Sequence, residues 1–158
     1  MAAENEYRLE TAADTQALGE RLGAQAKAGE LYILDGPLGA GKTTFTQGFA
    51  RGMQVKGRIT SPTFVIAREH RSLVGGPTLI HVDAYRLLDG HDVDPLDALE
   101  SLDLDSEIEN AVVVAEWGGQ FMESLASRYT LIHFDRDSAF HEDPESNARI
   151  IRVEQREN

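Results

Sequence analysis

Apolar positions recur along this chain with two different periods, and each change of period marks out an element. From Thr11 to Gly29, Ala17, Leu18, Leu22 and Ala26 fall at helical spacing, with Thr11 as N-cap and Asp14 three residues on, as a capping pair requires. Leu31-Tyr32-Ile33-Leu34 then reads as a short buried strand. Phe45, Phe49, Ala50 and Met53 return to helical spacing and turn one apolar face toward a core.

Further along, Thr63-Phe64-Val65-Ile66-Ala67 and Leu79-Ile80-His81-Val82 read as strands joined by a loop containing Gly75-Gly76-Pro77, which predicts a hairpin. Ala111-Val112-Val113-Val114-Ala115 is apolar throughout, as central parallel strands tend to be. Leu131-Ile132-His133-Phe134 and Ile150-Ile151-Arg152-Val153 form a late pair, and the polar stretch 135–147 between them reads as a mobile acidic loop. No repeat or heptad array interrupts this order. It predicts one α/β domain over residues 1–158, in three layers, with a mixed, mostly parallel central sheet.

Length and composition agree with a single domain: 158 residues, 41% of them hydrophobic, can bury a core without staples. Cysteine is absent, which excludes disulfides and thiolate metal sites. Met1-Ala2-Ala3-Glu4-Asn5-Glu6 has neither a basic nor an apolar leader region, and no apolar run is long enough for a bilayer, so a cytoplasmic address and no membrane partner are expected. The net charge of −12 repels nucleic acid phosphates at long range. From Leu87 to Ser127 no Lys or Arg occurs; such an acidic run is commonly a solvated face, or else docks on a basic partner.

Gly36-Pro37-Leu38-Gly39-Ala40-Gly41-Lys42-Thr43 lies between the second predicted element, a strand, and the following helix. In that setting it is a complete phosphate cradle. Gly36, Gly39 and Gly41 let backbone N–H groups turn toward an anion at a helix N-terminus, Lys42 reaches the β- and γ-phosphates, and the Thr43 hydroxyl ligates Mg²⁺, with Thr44 next in the turn. The fold class becomes that of a P-loop NTPase, with ATP and Mg²⁺ as expected cofactors. Pro37 has no N–H, so its position must be one that does not face phosphate.

A magnesium site needs a further carboxylate at a neighbouring strand end, and two stand ready, Asp83 and Glu116. The residues alone do not rank them. Glu116 follows the longer and more apolar strand and is assigned the metal, which leaves Asp83 to orient or deprotonate the attacking water. Thr60-Ser61-Pro62-Thr63 occupies the place of a γ-phosphate-sensing loop, although on the residues alone a capped turn with Pro fixing φ is the slightly better reading. Trp117 reads as core filling, and the five histidines, lacking any paired metal spacing, as surface or core residues.

These blocks together, the cradle running on through Thr44-Phe45, then Thr60-Ser61-Pro62-Thr63-Phe64, His81-Val82-Asp83-Ala84-Tyr85-Arg86-Leu87 and Glu116-Trp117, closely resemble the TsaE (YjeE) family of tRNA threonylcarbamoyladenosine biosynthesis. The resemblance implies an ATPase with Mg²⁺ on Thr43 and Glu116, Thr63 in a switch-like loop over 60–64, Asp83 near the hydrolytic water and Trp117 beside the nucleotide. It further implies that Thr11, Thr15 and a late basic residue such as Arg149 approach the adenine. TsaB- and TsaD-like proteins are the implied partners, with tRNA contacted only through them. Pro37, where the family usually has an acidic residue, is a departure. Two rival classes share the cradle: a small-molecule kinase, disfavoured by sparse arginines after Arg86, and a non-catalytic nucleotide switch.

Overall fold

The computed structural model describes residues 4–36, 41–56, 67–83, 110–116, 128–135 and 149–157. In chain order the elements are β1 (Glu4–Leu9), α1 (Ala12–Gln25), β2 (Leu31–Asp35), α2 (Lys42–Met53), β3 (Ala67–His70), β4 (Thr78–Asp83), β5 (Ala111–Glu116), β6 (Arg128–Asp135) and β7 (Arg149–Glu157). All seven strands join one sheet in the order β1-β7-β6-β2-β5-β4-β3.

Parallel pairing is confined to the middle, where β6, β2, β5 and β4 run the same way. The flanking ladders β3–β4, β6–β7 and β1–β7 are antiparallel. The expected parallel character therefore belongs to the four-strand core, in a mixed sheet. One consequence organises the molecule: the carboxyl ends of β1, β2, β4, β5 and β6 and the amino end of β7 share one edge of the sheet.

Every residue of β5 is buried, as a strand covered on both faces must be. The register puts Tyr32 and Leu34 beside Val114 and Glu116, with Leu79 beside Val112, on one face. That face meets both helices, where Leu18, Phe45 and Phe49 pack on Leu34, Val112, Val114, Ile132 and Phe134. Burying each large side chain contributes about 1.5–3 kcal/mol. Leu31, Ile33, Ile80, Val82 and Val113, on the opposite face, are buried as well. The expected third layer lies outside the described residues.

α1 and α2 cross at backbone distance. A Cβ on Gly48 would stand 1.9 Å from the Gln16 carbonyl oxygen, and one on Gly19 2.2 Å from that of Phe45. The Thr11 cap forms as expected: its hydroxyl accepts from the Asp14 N–H and the Asp14 carboxylate accepts from the Thr11 N–H. The helix stops earlier than the expected Gly29, because Ala26 is extended and Gly29, at φ 92, turns the chain into β2. The hairpin is present, with Ala67–His70 as its first described strand; of the strand expected over 63–67 only Ala67 falls among the described residues, and 57–66 lie outside them. β1 was not expected from the sequence; among its described side chains only Tyr7 and Leu9 turn inward, too few for a clear alternation. The acidic loop expected over 135–147 also lies outside the described residues, apart from Asp135 at the end of β6.

Candidate functional site

The loop after β2 is built from its two ends. Gly36 follows β2 at φ 148, and a Cβ there would come within 2.7 Å of the Phe134 carbonyl oxygen, so only glycine leaves the sheet by this route. Phe134 also packs edge-on against Phe45, with ring centroids 5.6 Å apart, which holds α2 to the end of β6. At the far end Gly41 is the left-handed N-cap of α2, at φ 101, and no described side chain caps the helix. Among the described residues no side chain accepts from its first N–H groups, the condition under which a helix N-terminus attracts an anion.

Lys42 joins the two ends. It is 5% exposed and its ammonium donates to the Gly36 carbonyl at 2.8 Å. A buried cation needs such a partner, and one that can be exchanged for phosphate costs least when an anion arrives. The Thr46 hydroxyl donates to the Lys42 carbonyl at 2.9 Å, fixing the first turn. Thr43 and Thr44 are half-buried in that turn. Pro37, Leu38, Gly39 and Ala40 lie outside the described residues, as do Thr63 and Trp117.

On the other side of β2, Glu116 ends β5 as the register partner of Leu34, and Asp83 ends β4 as the register partner of Glu116. Both acidic residues expected from the sequence therefore occupy neighbouring strand ends, at the same edge as the end of β2. Glu116 is 5% exposed. Its Oε1 lies 3.3 Å from Nε2 of His81, which is fully buried in β4. That histidine was read only as a surface or core residue. The available signal was a polar ring inside an apolar strand, two residues before Asp83 and hence on its face. Among the described residues no group of three or more His, Asp or Glu side chains gathers to hold a metal.

The expected adenine-side residues reach the same edge by different elements. Thr11 caps α1, its hydroxyl engaged by Asp14. Thr15 is buried, donates to the Thr11 carbonyl at 3.5 Å, and places its methyl 3.6 Å from a Cβ built on Gly41. Arg149 opens β7 opposite Leu9. No described helix is long and apolar enough to cross a membrane.

Taken together, sheet and loop define an α/β protein whose candidate chemistry collects at the carboxyl edge of a parallel core, where such sheets bind ligands. Residues 9–144 match the family described as Threonylcarbamoyl adenosine biosynthesis protein TsaE. The chain belongs to that family. It is 52% identical over 126 residues to the tRNA threonylcarbamoyladenosine biosynthesis protein TsaE of Mycobacterium tuberculosis, covering 79% of this chain and 75% of that one. It is 37% identical over 120 residues to the protein of the same name from Bacillus subtilis, covering 75% and 70%. A crystal structure of Bacillus subtilis YdiB superposes with a TM-score of 0.67 at 27% identity, over 98% of this chain and 86% of that one.

Proposed function

We propose that the chain is a cytoplasmic Mg²⁺-dependent ATPase that supports threonylcarbamoyladenosine modification of tRNA together with TsaB- and TsaD-like partners. The observation that carries this reading is Lys42, buried and folded back onto Gly36, at a helix N-terminus with no side-chain cap among the described residues. Its ammonium exchanges the carbonyl for the β- and γ-phosphates. The donor set also fits magnesium, which takes few protein ligands: one hydroxyl, on Thr43, and one strand-end carboxylate, Glu116. Magnesium, when bound, supplies positive charge beside the phosphates. Asp83 orients the attacking water and accepts its proton. Thr63 and Trp117 serve the γ-phosphate and the nucleotide, as the family resemblance implies.

No arginine of the chain is assigned to the γ-phosphate, so hydrolysis by the isolated protein is slow and the partner complex stimulates it. The test compares phosphate release by wild type and Lys42→Ala, alone and with the TsaB–TsaD-like complex, and follows modified tRNA over many turnovers. Lys42→Ala should lose nucleotide binding or hydrolysis and fail to sustain modification while remaining folded. Sustained modification by Lys42→Ala would overturn the coupling, and unchanged phosphate release would overturn the ATPase itself. Transfer of phosphate to a small acceptor would identify a kinase instead.

A further inference from the structure

The least economical residue in the core is His81. Leu79, Ile80 and Val82 surround it in β4, and its register partner in β5 is Val114. An aliphatic side chain at this position would bury without leaving polar atoms to satisfy. His81 instead carries two ring nitrogens into a place with no exposure. One, Nε2, lies 3.3 Å from Glu116 Oε1, and the other, Nδ1, has no hydrogen-bond partner among the described residues. A carboxylate has no hydrogen to give, so Nε2 carries the proton and donates.

The two side chains meet because of the sheet. Alternation puts Leu79, His81 and Asp83 on one face of β4, while the register with β5 sets Val114 beside His81 and Glu116 beside Asp83. His81 thus reaches Glu116 on the diagonal, from one step deeper in the core. Glutamate has three side-chain torsions, and a bond to one oxygen removes most of their freedom.

We propose that His81 is the positioning residue for Glu116: its Nε2–H fixes Oε1 and leaves Oε2 as the oxygen presented to the divalent cation. Oε2 has no hydrogen-bond partner among the described residues. The inference rests on the assignment of Glu116 to magnesium. It adds a group that acts through the ligand rather than on the nucleotide, in the way outer-shell partners orient metal ligands.

The test uses the full chain and a fluorescent N-methylanthraniloyl-ADP, with binding titrated against MgCl₂. His81→Leu keeps the volume and removes the donor; the magnesium concentration for half-maximal binding should rise about 10- to 100-fold, with magnesium-free binding unchanged. His81→Gln sets an amide N–H near the place of Nε2 and should restore most of the magnesium response. His81→Asn, whose amide stops at the place of Nδ1, should not. Circular dichroism and thermal melts establish that each variant is folded, and the Gln and Asn pair carries the comparison if the Leu variant does not fold. A wild-type magnesium response in His81→Leu, or equal responses in His81→Gln and His81→Asn, overturns the positioning role. If wild type shows no magnesium dependence, or Glu116→Ala retains it, the metal assignment fails and the inference fails with it. Dependence lost in Glu116→Ala but kept in His81→Leu sinks the inference alone.

Discussion

Asp83 and Glu116 are register partners at the carboxyl ends of β4 and β5, so two carboxylate-bearing residues sit on adjacent strands, about 4.8 Å apart by the spacing of a sheet. The two positions still differ in reach. Glu116 aligns with Leu34, one strand from the loop, whereas Asp83 is one strand further out.

That difference separates their variants. Asp83→Asn should lower the rate of phosphate release about 10²- to 10⁴-fold with nucleotide affinity retained, as for loss of a general base. Glu116→Gln should instead weaken the magnesium dependence of binding. Steady-state rates beside equilibrium nucleotide titrations distinguish the two, and the opposite pattern would exchange the roles.

Gly36→Ala should disrupt the loop and the fold together. The new methyl meets the Phe134 backbone at 2.7 Å, and φ 148 is unfavourable for any L side chain. A loss of about 1–3 kcal/mol is expected from the backbone conformation alone, with the steric contact added to it. Denaturant unfolding measures the loss, and nucleotide titration should show weaker binding in the fraction that remains folded.

Gly48→Ala tests the helix crossing far from the loop. Its methyl would lie 1.9 Å from the Gln16 carbonyl oxygen, a backbone atom that moves only if α1 moves. Overpacking of this kind costs about 1–3 kcal/mol or more. Thermal unfolding should report a lower midpoint, while Gly75→Ala, at a turn with open space around it, pays only for its positive φ.

Thr11→Ala removes the hydroxyl that accepts from the Asp14 N–H and should cost about 1 kcal/mol. Because Thr15 bonds back to the Thr11 carbonyl and lies against Gly41, fraying of this turn should also loosen the loop. Amide hydrogen exchange in the first turn of α1 and around Gly41 should accelerate together. Faster exchange in α1 alone would show that the two are independent.

The chain's local chemistry was legible before its shape. The Thr11 and Asp14 cap, the wholly apolar β5 and the acidic residues at two strand ends each follow from neighbours a few residues apart, since caps, turns and periodicity are short-range effects. Pairing is not short-range. Nothing in Glu4–Leu9 alone says that this polar stretch becomes β1; its partner is β7, almost the whole chain away, and an edge strand buries too little to print a pattern. The same holds for His81, which taken alone is a histidine in an apolar run. Its bond to Glu116 exists because β4 and β5 lie side by side in one register, and a one-residue slip would turn it to the other face. Composition and spacing thus decided which chemical groups the protein carries, while the order and register of the strands decided which of them meet.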